Sequence, residues 1–257
     1  MTRTSHSVPA VQRGTFQKIL GAALLTAAAF AAPAQAGVIT FDGAPDYVPG
    51  MVFGGDAWME SGYTIGFFAN LPGDGVGSLV GQMYDGDQSS CDTSSQICPA
   101  NTSGVYFGAL NDTYMDMMFT SGVGFKIKSF DASFIGSSAS LGSYPNPVGL
   151  VRLLGITATG ASMTQDFWFD NSAQTKNFQL HTFNTSGLFA NTVMKEVLVY
   201  GFACNTGGSC QAFATDRGQF AIDNITTSDV PEPATAAIVG LGLLGVAAAR
   251  RRRQTKA

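Results

Sequence analysis

Between Gly37 and Asp229 the chain is cut into short pieces by turn-forming clusters, and no piece sustains an apolar stripe at helical spacing for three turns. The clusters include Asn70-Leu71-Pro72-Gly73-Asp74-Gly75, Asn101-Thr102-Ser103-Gly104, Ser143-Tyr144-Pro145-Asn146-Pro147 and Asn205-Thr206-Gly207-Gly208. Glycine, proline and asparagine in such runs set the backbone angles of reversals, so each cluster ends one element and starts another. The pieces between them are rich in β-branched and aromatic residues. They predict strands near 38–42, 62–68, 104–109, 115–120, 124–135, 149–158, 163–170, 177–183, 194–203 and 219–226.

Ten short strands with turns this frequent predict an all-β fold, an antiparallel two-sheet sandwich of jelly-roll type. No repeat of fixed period is present, which argues against a propeller or solenoid. In Phe178-Gln179-Leu180-His181-Thr182 the apolar side chains fall on one face, as in Phe220-Ala221-Ile222 opposite Asp223. The run Phe125-Lys126-Ile127-Lys128-Ser129-Phe130-Asp131-Ala132-Ser133-Phe134 switches apolar phase near Ser129. That switch predicts a β-bulge or a change of partner.

The two ends follow different rules. Arg13 and Lys18 precede a 14-residue apolar run, Ile19 to Ala32, and a small-residue exit, Pro33-Ala34-Gln35-Ala36-Gly37. This order reads as a secretory signal peptide, residues 1–36, cut between Ala36 and Gly37 by signal peptidase after passage through the Sec translocon. At the other end Val230-Pro231-Glu232-Pro233 leads into a 16-residue apolar run, Ala234 to Ala249, and then Arg250, Arg251, Arg252 and Arg253. The arginines hold the C-terminus on the cytoplasmic side, and the run is barely long enough for a single transmembrane helix. The linker to the domain is read as Thr226 to Pro233.

This tail, residues 230–257, resembles the sorting signal of the PEP-CTERM proteins of Gram-negative bacteria: Pro-Glu-Pro, an apolar helix and a basic end. The resemblance implies recognition by an exosortase, cleavage at or near Pro231-Glu232-Pro233, an inner-membrane intermediate, and release to the cell surface or the extracellular polymeric matrix. An ordinary tail anchor is the competing reading. Gln219-Phe220-Ala221-Ile222-Asp223 also resembles the Gln-Phe-x-x-Asp signature of a subgroup of these proteins.

Removal of both ends leaves residues 37–229 with six bases and seventeen acids, a net charge of −11. Such a domain repels nucleic acid and anionic lipid, and suits exopolysaccharide, divalent cations or protein partners. Its four cysteines form two close pairs. In an oxidising compartment these predict Cys91–Cys98 and Cys204–Cys210 disulfides closing surface loops. Zinc is the weaker alternative, because the spacings are too long and His181 is the domain's one histidine.

The catalytic inventory is thin. His181 sits in an alternating strand, no Gly-x-Ser-x-Gly elbow is present, and the two glutamates are Glu60 and Glu196. No catalytic residue is assigned, and the protein is read as a non-enzyme with a structural or adhesive role. A carbohydrate-binding module is the first alternative, with Trp168 in Asp166-Phe167-Trp168-Phe169-Asp170 as the ring that stacks on a sugar. Core packing of that segment competes with this. A glycan-processing hydrolase is the second alternative and needs two carboxylates in one cleft.

Tyr84-Asp85-Gly86-Asp87-Gln88-Ser89 spaces oxygen ligands like a calcium loop but lacks the closing glutamate of an EF-hand. The domain ends resemble jelly-roll carbohydrate-binding modules, whose first and last strands lie side by side and share a structural calcium. On that resemblance Asp42 and Asp223 are the expected ligands.

Overall fold

The computed structural model describes residues 37–43, 50–85, 96–99, 104–122, 124–137, 143–170, 178–213 and 217–229. The signal, the sorting tail and Cys91 lie outside these. The strands are β1 (Val38–Ile39), β2 (Gly50–Phe53), β3 (Ala57–Glu60), β4 (Tyr63–Ala69), β5 (Leu79–Tyr84), β6 (Gln96–Ile97), β7 (Tyr106–Ala109) and β8 (Thr113–Phe119). They continue as β9 (Phe125–Phe134), β10 (Gly136–Ser137), β11 (Gly149–Ile156), β12 (Ser162–Phe169), β13 (His181–Asn184), β14 (Glu196–Cys204), β15 (Cys210–Gln211) and β16 (Phe220–Asp229). Among the described residues one short α-helix, α1 (Gly187–Asn191), and a 3-10 turn, Pro72–Gly75, interrupt them.

Two antiparallel seven-stranded sheets form the sandwich. The first runs β13-β9-β16-β7-β5-β2 with β1 beside β16, and the second runs β12-β11-β14-β8-β4-β3 with β15 beside β14. The chain passes repeatedly from one sheet to the other, as a jelly roll requires. Alternation selects the core: Tyr63, Ile65 and Phe67 of β4, and Met115 and Met117 of β8, face inward to meet Phe125, Phe130 and Phe220 of the opposite sheet. Edge-to-face rings bridge the sheets, with Phe130 and Phe167 centred 4.8 Å apart and Tyr63 and Phe125 5.1 Å apart.

All ten expected strands are present, and the phase switch at Ser129 is a paired irregularity. Asp131 lies opposite Asp223, Ser129 opposite Thr226, and Ile127 opposite Thr227. Each strand therefore carries one extra residue, and both change phase together: Phe125 and Ile127 face the core below the switch, Phe130 and Ala132 above it. Asn224 takes the left-handed conformation at the bulge, φ 50°, which asparagine tolerates better than most residues.

Four readings change. The strand expected over 177–183 starts at His181, although Phe178 is buried. Strands β2, β3 and β5, and the two-residue strands β6, β10 and β15, had no expectation at all. The linker is shorter than expected, since β16 continues through Asp229. Finally, the cysteine loops are not both surface decoration. Cys98 is 1% exposed and disulfide-bonded, and it packs with Tyr84, Tyr106, Leu110, Ile135 and Ala221 in a second small core. The β6–β10 ribbon accompanies it, so this segment covers part of the first sheet's outer face. Cys204–Cys210 does close an exposed turn, joining directly paired residues of β14 and β15 with Cα atoms 4.0 Å apart.

Candidate functional site

Two regions hold the candidate residues: the junction of β1 with β16, and the outer face of the second sheet. The first and last strands do lie side by side, Ile39 opposite Ile225 and Val38 opposite Thr226. Phe41, at φ 58° and fully buried, turns the chain at the end of β1. The turn is held by Glu60 of the opposite sheet. Its Oε1 accepts from the Thr40 N–H and hydroxyl at 3.0 Å each, and its Oε2 accepts from the Phe41 N–H at 2.9 Å and Trp58 Nε1 at 3.0 Å. Glu60 is thus a latch between the sheets.

Asp223 is 7% exposed. Burial pushes its carboxyl up to about 7, opposed by the bond it accepts from the Asn224 N–H and reinforced by the charges of Asp42, Asp131 and Glu60. Asn224 also donates its side-chain amide to Asp223 at 3.2 Å and to Asp131 at 2.9 Å. Asp42 accepts from the Val105 N–H at 2.7 Å.

The two expected calcium ligands therefore belong to one acidic neighbourhood, already engaged by hydrogen bonds. Among the described residues no group of three or more His, Cys, Asp and Glu side chains is placed to hold a metal ion. Most of the Tyr84–Ser89 segment lies outside the described residues. The specified residues of the Gln-Phe-x-x-Asp segment, Gln219, Phe220 and Asp223, are all buried.

On the second sheet, alternation sends Phe167 and Phe169 into the core and leaves Trp168 outside, 51% exposed. The packing reading holds for Phe167 and Phe169, with Trp168 on the surface. The register aligns Trp168 with Leu150 and Leu150 with Phe202. Leu150 is only 3% exposed although it points away from the core, so its flanking side chains close over it. The adjoining row runs Asp166, Arg152, Tyr200, Tyr114, Phe68 across five strands.

Arg152 donates two hydrogen bonds to Asp166, at 2.5 and 2.7 Å, and lies 4.7 Å from the Phe202 ring centre. Tyr114 stacks on Phe68, and Tyr200 on Phe213, at 5.5 and 5.2 Å. The next row along carries Asp116 between Leu198 and Gly66. Burial raises the Asp116 carboxyl to about 6, with Glu196 as the second cause. Its Oδ1 is buried without a hydrogen-bond partner among the described residues.

His181 is exposed on β13. Trp58 is a core residue. Periodicity could have placed Tyr114, Tyr200 and Phe68 outward, but only the strand order brings them into one row.

A β-sandwich leading directly into a sorting tail defines an exported surface protein. Residues 229–253 match the PEP-CTERM protein-sorting motif. The chain carries this motif, which marks it for exosortase processing and cell-surface display. No curated protein matches the chain.

Two solved structures are similar in part. A DUF4465 family protein from Bacteroides caccae ATCC 43185 is 12% identical with TM-score 0.49, over 76% of this chain and 100% of that one. The enzymatically active domain of bacteriophage CBA120 tailspike protein 4 is 8% identical with TM-score 0.27, over 66% of this chain and 20% of that one. Likenesses at this level define neither a family nor an activity.

Proposed function

We propose that this protein is a non-enzymatic adhesive component of the cell surface or extracellular matrix, with its sandwich released from an inner-membrane intermediate by exosortase cleavage near Pro231-Glu232-Pro233. The observation that carries this reading is the sorting motif beginning at the last residue of β16. Signal peptidase removes residues 1–36 and the Arg250–Arg253 cluster holds the tail at the inner membrane before cleavage. Replacing Pro231, Glu232 and Pro233 with alanine is expected to leave the protein in the membrane fraction and to lower cell attachment. Unchanged release would remove the sorting step from the account.

A second reading, glycan binding, is favoured by the aromatic outer face of the second sheet. Exposed rings offer flat apolar surface to the C–H face of a sugar while flanking carboxylates accept its donors. On this face, hydrolysis would use Asp116 and Glu196. They are diagonal neighbours on β8 and β14, since Leu198 pairs with Asp116 and Glu196 with Met118. Their open pleated surface suits binding better than the enclosed chemistry of a glycosidase. A structural calcium at Asp42 and Asp223 would draw further oxygen ligands from the backbone. It is tested with the Asp223 variant described in the Discussion.

A further inference from the structure

Resting on the glycan-binding reading, we infer that the outer face of the second sheet takes a polysaccharide segment bearing free amino groups, with Trp168 as the stacking ring and Asp116 as the acceptor for an ammonium. The stacking surface is the Trp168–Leu150–Phe202 row, whose central leucine is sealed while Trp168 stays half exposed. The charge on this face selects the sugar. Its guanidinium, Arg152, is already neutralised by Asp166. Asp74, Asp116 and Glu196 form no ion pair with a lysine or arginine among the described residues.

Asp74 accepts from the Tyr114 hydroxyl at 3.1 Å and so fixes that ring. Asp116 is half-buried beside the tyrosine row and forms no ion pair among the described residues, so its negative charge stands uncompensated at this face. An ammonium also gains from the faces of the neighbouring tyrosine rings. An acidic polysaccharide would meet a domain of net charge −11 and be repelled.

The test is titration of the protein recovered from producing cells with three probes: a glucosamine hexamer, an N-acetylglucosamine hexamer and a cellulose hexamer. Trp168→Ala and Asp116→Asn are measured beside it. The glucosamine hexamer is expected to bind tightest and to weaken as salt rises. Asp116→Asn should weaken that probe alone by about tenfold, the loss of one charge-assisted hydrogen bond, while Trp168→Ala weakens all three. Equal affinity for the three hexamers, or an Asp116→Asn variant that binds glucosamine unchanged, overturns the amine assignment and leaves glycan binding standing. If no hexamer binds and polysaccharide extracted from the cells' own matrix is not retained either, the glycan-binding reading falls with it.

Discussion

Asp223→Asn should make the protein more stable in neutral and alkaline solution while leaving it little changed in acid. The carboxyl is 7% exposed, and its three acidic neighbours add to the burial that lifts it to about 7 from the ordinary 3.8. A folded-state value above the unfolded one means that the folded protein holds the proton more tightly. This group's stabilising contribution is therefore complete below about pH 4 and is lost as pH rises through about 7. At about 1.4 kcal/mol per pH unit the full loss is at most about 4 kcal/mol.

Asparagine cannot ionise, and its Oδ1 still accepts from the Asn224 N–H, so the variant should lack this slope. The strained amide-to-amide contact with the Asn224 side chain reduces the gain to about 2 kcal/mol at pH 8. Asp116 contributes a slope of the same sign to both proteins and cancels in the comparison. Urea denaturation from pH 4 to pH 8, with calcium chelated, reads the difference directly. Parallel stability curves for the two proteins, or a variant less stable at pH 8, would refute the reasoning. Repeating the series with calcium added tests the ion: if Asp42 and Asp223 are ligands, calcium raises the Tm of the parent protein and not that of the variant.

Two further substitutions probe the framework. Glu60→Ala removes the acceptor for four donors, three of which, from Thr40 and Phe41, tie the end of β1 to the opposite sheet, and it should cost about 3 kcal/mol in denaturant titration; a loss below about 1 kcal/mol would show that the latch is dispensable. Gly201→Ala places a Cβ 2.1 Å from the Gly218 carbonyl oxygen, a backbone contact that cannot move aside. It should cost at least about 3 kcal/mol or abolish folding, and a variant with the parent's Tm would contradict the close approach of β14 to the segment preceding β16.

Much of the fold is legible in the sequence because turn chemistry and alternation are local signals. Strands with one wet face, such as β4 and β8, show the period of two that reading depends on. The strands that escaped notice lack it for physical reasons. β5 is buried on both faces, one by the main core and one by the cluster around Cys98 and Tyr106, and its Gly81 makes room for the Phe107 ring. β2 is an edge strand that exposes Met51 and Phe53 and buries Val52, inverting the usual pattern.

The site is legible to a lesser degree. Trp168 stands out as a ring among acids, and the adjacency of Asp42 and Asp223 follows from the pairing of first and last strands. The row from Asp166 to Phe68 was hidden because its members come from five strands whose order along the sheet is not their order in sequence. The latch formed by Glu60 was hidden for the same reason, since three of its four donors come from the turn after β1, beside the other sheet.

The central claim is that the sandwich is exported, cut free of its tail and displayed at the surface. Intact mass of the protein recovered from the cell surface and from the medium, before and after reduction, tests it most directly. The account predicts a chain that begins at Gly37, ends near Pro233 and gains about four protons on reduction. A mass that still includes Arg250 to Ala257 would show a tail-anchored membrane protein and contradict release into the matrix.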